Sequence, residues 1–571
     1  MIRINFILIS AFILFGCKKV EDQNISLITN SLMCGALQSD DEWYKSSNKA
    51  PLFKELGNNY FQVSTNDSLA QKYINQGLIL AYGFNHAEAA RSFFYASKLD
   101  PTCAMAYWGY AYVLGPNYNA GMESDNYERA YNAIQTALSL SQKNTTKKEK
   151  DLIEALSQRY VMYPLEDRST LDNAYSMTMK DVYEKYPNDG DIAVLYAESL
   201  MNLHPWDLHD KDGNDKAWTP EIIAVLEKCI ALHPKHPGAH HLFIHAVEAS
   251  NKPERALISA QLFDEGLVPN SGHLVHMPSH IYIRTGDYHK ASLSNIKALK
   301  IDSVYVASCN AQGTYPLAYY THNQHFLAGT ATLEGKSEWA IHAAKELQKK
   351  ANKKLMKEPG WGTIQHFYTI PFYVYVKFGK WDEILNIKNE IPELDYPTAI
   401  LHYAKGMAHL GKGNLSYAKI ELKNLEKIAA KKSIAEVTIW DINSAYDLVQ
   451  IAYKVLKAEI LSHEQNFTKS ISLLKEAIAI EDALHYNEPP DWFFSVRHNL
   501  GAIQILSGKY FDAIKTYEQD LEKLPKNGWA LKGLSIAHSK LGNISDKNEA
   551  EIKFQQAWKT SDIELKASII K

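Results

Sequence analysis

The sequence is short of cysteine, of net charge and of long apolar runs, and each shortage removes a class of protein. Five cysteines are spread over 571 residues. Cys34, Cys103, Cys229 and Cys309 form no CxxC pair, and their spacing outlines no disulfide framework. Formal net charge is −4, with Lys and Arg dispersed along the chain. No basic stripe would follow a phosphate backbone, so nucleic acid is not an expected partner. Past the first seventeen residues no stretch is apolar for long enough to span a bilayer. HExxH, GxSxG and Gly-rich nucleotide fingerprints are absent. "GTATLEGKS" imitates a phosphate loop, but its glycines are six apart where five are required.

What is present begins at the N-terminus. "MIRINFILISAFILFGC" carries Arg3, an apolar run from Ile4 to Phe15, and Gly16 before Cys17. That run is too short for a stable spanning helix, which takes about 20 residues, and it fits a secretion signal. Cys after Leu-Phe-Gly resembles a bacterial lipobox, which implies that residues 1–16 are removed and Cys17 is lipidated. Lys18 beside it points to the outer membrane, facing either the periplasm or the cell surface. Residues 17–68 then read as a tether and lead-in.

The remainder repeats. Gly77, Ala89, Phe93, Ala96 and Pro101 are spaced twelve, four, three and five apart, and Gly501, Ala513, Tyr517, Asp520 and Pro525 reproduce that spacing. Ala458, Ser470, Leu474, Ala477 and Asp482 follow it again, as do Gly406, Ala418, Leu422 and Leu425. "RTGDYHKA", "GKW" at 379–381 and "GKYFDA" supply turns between paired helices. The pattern resembles the tetratricopeptide repeat, of about 34 residues. The resemblance implies an all-α superhelix over 69–571, regular at about 396–565, in which stacked pairs share one core.

The repeat register gives the histidines a face. Ile244 with Ala256, Ser279 with Ala291, and Ala328 with Ala340 take the crossing and partner positions of three successive units. His241, His245 and Glu248, then His273, His276 and His280, then His322 and His325 therefore lie on the first helices of those units. At about 100° per residue they centre roughly 130° from the packing face, on the side that lines the concave groove. Glu198 and His366 occupy equivalent places in the flanking units, so the His-rich groove runs from about 198 to 366. Tyr282, Arg284, Tyr320 and Trp206 stand near enough in sequence to wall it.

Imidazole is the commonest metal-ligating side chain, and side chains at i and i+4 share one helix face. The expectation is a transition metal, zinc first, with iron, copper or manganese open to the same ligands. Two neighbouring ions are conceivable. A metal-bound water or oxidant would make the chain a hydrolase or oxidase. The alternative is a non-enzymatic scaffold holding a peptide or partner protein in the same groove. No residue is assigned a catalytic role. "DKDGNDKAWTPE" offers Asp210, Asp212, Asn214 and Glu221 at calcium-loop spacing, but Asp215 stands where the sharp turn needs Gly, so calcium is not expected. His86, in an interhelix turn, reads as structural.

Overall fold

The computed structural model describes residues 40–45, 48–309 and 315–571. Cys17 and the signal segment lie outside these residues. The fold is all-α, a superhelix of helix pairs of the tetratricopeptide kind. Pairs follow one another from Ser68–Tyr82 with His86–Leu99 to Gly528–Leu541 with Ile544–Ala557. A two-stranded hairpin, Thr438–Ile439 with Asn443–Ser444, accompanies them. Among the described residues no helix is long and apolar enough to cross a membrane.

The repeat spacing has a steric cause. The ring of Phe93 is wedged between Gly77 and Gly109 of successive pairs, and a Cβ on either glycine would come within 2.7 and 2.2 Å of it. Tyr517 is held the same way, between Gly501 and Gly533, at 2.3 and 2.2 Å. Each aromatic thus fixes two helix crossings. Ile244, Ser279, Ala328 and their partners Ala256, Ala291 and Ala340 are all fully buried, so the register assigned to the histidine helices holds. Gly335 adopts φ +78° in the turn between Tyr320–Leu333 and Ser337–Lys350, as a turn glycine does, and holds no phosphate loop.

The interior of the superhelix is filled, which departs from the open hollow expected. Late repeats fold back on early ones. Tyr288 donates to the carbonyl of Pro525 at 2.8 Å, Trp529 Nε1 to that of Thr332 at 2.9 Å, and the amide of Ser337 to Asp562 at 2.8 Å. The apolar core forms one body from Trp43 to Tyr319 and another from Leu327 to Leu565. Helices Pro237–Val247 and Gly272–His276 belong to the first body, while Leu327, Ala328 and Ala331 of Tyr320–Leu333 belong to the second. The lead-in is also part of the body from residue 48 onward. Phe61 and Val63 are buried, and Tyr73 and Gln76 donate to the carbonyls of Ala50 and Pro51 at 2.6 and 2.8 Å.

Candidate metal centre

Six histidines gather in two sets of three. His241 and His245 project from one face of helix Pro237–Val247, and His273 meets them from the next first helix, Gly272–His276. His241 Nε2 lies 3.1 Å from His273 Nε2. The second set is His276, His280 and His322. Pro278 breaks the helix between His276 and His280, yet their Nε2 atoms stand 2.8 Å apart, and His322 Nε2 is 3.5 Å from that of His280. Three imidazoles ligating one ion at 2.0–2.1 Å would place their nitrogens about 3.3 Å apart. These three separations are near that spacing, and all ligand atoms of each set lie within 4.8 Å of one another.

The opposite ring nitrogens are occupied. His241 Nδ1 donates to the Tyr82 carbonyl at 2.5 Å and His245 Nδ1 to Glu248 Oε1 at 2.7 Å. His276 Nδ1 faces Asn295 Oδ1 at 2.7 Å. Asn295 uses its amide nitrogen on the Ala291 carbonyl at 2.8 Å, so its oxygen must be the acceptor and His276 the donor. Each of these three rings therefore turns a bare Nε2 lone pair inward, as metal-ligating histidines do when their far nitrogen is fixed by an acceptor. Glu248 serves both sets, with Oε1 on His245 and Oε2 on His280 Nδ1. It was expected as a ligand; besides orienting two of the rings it converges with His280 and Glu488 in a third group of ligand atoms.

Electrostatics favour neutral imidazoles. Burial holds His241, His273 and His276 well below the usual histidine range, lowers His245, and lowers His322 to about 3. His280 is the exception. Burial works against its charge, but Glu248 and then Glu488 outweigh burial and raise it to about 9. Without an ion it bridges Glu248 and His276 as an imidazolium, and a cation would take the place of its Nε2 proton. Burial pushes Glu488 up to about 7. Glu248→Gln should weaken metal retention about 10- to 100-fold, because an amide cannot accept from both rings. Competition with a chromogenic chelator measures this, and unchanged affinity would remove Glu248 from the centre.

Aromatic rings close the site. Phe84, from the first interhelix turn, lies 4.5 Å from His241 and 5.4 Å from His273 between centroids. Trp206 and Tyr118 each approach His245 at 5.7 Å. Trp440, at the hairpin tip, is 6.5 Å from His322. Phe84, Trp206 and Trp440 take φ of +53°, +57° and +52°. Non-glycine residues in that region cost on the order of 1–3 kcal/mol each and persist where surrounding structure holds them. Three of the seven such non-glycine positions among the described residues carry rings that approach these histidines.

The other expected residues are placed elsewhere. Glu198 accepts from Tyr112 and from Asn202 and joins neither set. His325 and His366 form a separate contact, 5.3 Å between centroids, with His325 stacked on Phe493 and His366 bonded to the Tyr396 hydroxyl at 2.7 Å. Tyr282 donates to Asp264, and Tyr320 lies under the Lys350 ammonium. Arg284 reaches the edge of the site, over the Tyr486 ring at 5.4 Å. Asp210 accepts from the amides of Asp212 and Asn214, while Glu221 turns away to Tyr196 and Lys180, so the calcium-like segment is an acidic turn. His86 bonds the Val113 carbonyl at 3.1 Å, a structural role as expected.

No family model matches the chain, and no curated protein does. Among solved structures it is similar to the human IFIT1 dimer with m7Gppp-AAAA, at 14% identity over 87% of this chain and 90% of that one, TM-score 0.31. It is also similar to the Cut9 and Hcn1 hetero-tetramer of APC/C, at 12% identity over 86% and 88%, TM-score 0.27. The P58(IPK) TPR domain aligns at 13% identity over 85% and 92%, TM-score 0.18. Superposition this loose says nothing about ligands.

Sequence reasoning missed Glu488, Asn295 and Phe84. Glu488 carried a signal: residues 482–496 separate Phe467–Glu481 from Arg497–Leu506, a long connection like that at 203–218, which carries Trp206. Asn295 lies on the second helix of its unit, a face the register assigns to packing.

Proposed function

We propose that this chain is a metalloprotein whose histidine sets hold a pair of transition-metal ions, zinc foremost. The observation that carries this reading is the convergence of ring nitrogens in both sets, with the far nitrogen of His241, His245 and His276 already bonded. Without an ion, His245 Nε2 is buried with no hydrogen-bond partner, an arrangement that costs about 1–3 kcal/mol. Iron, copper and manganese are accepted by imidazole as well, though manganese prefers more oxygen. Three protein ligands leave each ion an open position, the pattern of catalytic rather than structural zinc. A bound ion would supply a metal-activated water or an oxidant there, and the reaction class is hydrolysis or oxidation.

The scaffold alternative puts a peptide or partner protein in the same groove. Burial of the cluster argues against it, since His241, His276 and Glu248 are no more than 1% exposed. Elemental analysis of protein expressed with metal supplied and purified without chelator tests the choice. Two ions per chain are expected, and less than about one tenth of an ion would leave the scaffold reading in front.

The same proposal includes export and a lipid anchor on Cys17, supported by the apolar run and Gly16-Cys17 junction. Cys17→Ser should move the protein from the membrane fraction to the soluble fraction with its helical signal unchanged. Retention of the variant on the membrane would overturn the anchor.

A further inference from the structure

A cavity of about 260 Å3 reaches the cluster, with His245 and Glu248 at its floor. Its walls are Tyr118, Trp206 and Tyr486, and its rim is the acidic turn that follows Trp206. That volume lies below the roughly 300–1,000 Å3 of pockets for drug-sized ligands, so nothing macromolecular could reach the floor.

The walls are fixed and flat. Tyr118 and Trp206 stack at 5.3 Å, and Trp206 Nε1 is held by Asn119 Oδ1 at 3.1 Å. The Arg284 guanidinium covers Tyr486. The rim lysines are each paired, Lys216 with Asp207 and Lys211 with Asp212 at 3.0 Å, while Asp210 accepts only from neutral amides. The charge left at the mouth is therefore negative, which disfavours an anion there. Rings of this kind favour a planar π-face set against them.

We infer that the cavity admits a small uncharged aromatic molecule of the phenol class, its ring against Trp206 and Tyr118 and its oxygen toward the ion beside His245. The inference rests on the metal reading above. It assigns the 206–216 segment, which overlaps the calcium-like stretch at 210–221, to the entrance of the centre.

Cobalt-loaded protein gives a visible spectrum that reports ligands entering the metal's coordination sphere. Phenol should perturb that spectrum, and benzoate, of similar shape but charged, should do so less. Ala249 lines the cavity at its edge. Ala249→Phe should fill the cavity, keep cobalt content at the parent level and weaken the phenol response about tenfold. Trp206→Asn gives an independent variant, since Asn tolerates the left-handed backbone, and it should weaken phenol similarly. An unchanged phenol response in both variants at full cobalt content would overturn the entrance, and benzoate outcompeting phenol would overturn the ligand class. Cobalt below one tenth of an ion in the parent would instead fail the metal reading, and the entrance with it.

Discussion

His276→Ala will leave the chain with one metal ion in place of two. The ring supplies one of three inward nitrogens, and its loss reduces that set to His280 and His322. His245→Ala should empty the other set, and the double variant should hold no ion. Stability will separate ligand loss from packing loss. Without metal, His276→Ala leaves Asn295 Oδ1 buried and unsatisfied, at about 1–3 kcal/mol. With free metal near a thousand times its dissociation constant, parent protein gains roughly a further 4 kcal/mol per ion that the variant cannot. Denaturation with and without metal measures both amounts. Should the two variants keep both ions, the histidines are packing residues.

Phe93→Ala should lower stability by about 3–5 kcal/mol, by equal amounts in the metal-loaded and metal-free states. Phe93 is fully buried and touches the glycines of two successive pairs, so its removal leaves a cavity that neither backbone can close without losing its crossing. The denaturation midpoint at constant slope reads the change. A loss below about 1 kcal/mol would mean the crossings are set by something other than the wedge.

The fold was legible because its steric rule is local. A small residue followed sixteen places later by a large one is visible in Gly77 and Phe93, and again in Gly501 and Tyr517. The two histidine sets were legible for a related reason. Residues one helical turn apart share a face, and adjacent first helices pack about 8–10 Å apart. Reach beyond the neighbouring unit was not legible. Glu198 occupies the same register place as His245, but Tyr112 takes its carboxylate. His325 and His366 fell into a second contact because the groove face rotates from unit to unit. Burial of the cluster depends on how tightly the superhelix winds, a sum of small rotations that no single repeat encodes. That winding brings Phe84 onto one histidine set and Glu488, far away in sequence, onto the other.

The central claim is that two ions sit among six Nε2 atoms. Anomalous diffraction at the zinc or cobalt edge, from crystals of metal-loaded protein, locates them directly. Two peaks are expected, one ringed by His241, His245 and His273 and the other by His276, His280 and His322, each about 2.0–2.1 Å from its three nitrogens. Peaks confined to exposed histidines or to the 210–214 turn, with none inside either set, would contradict it.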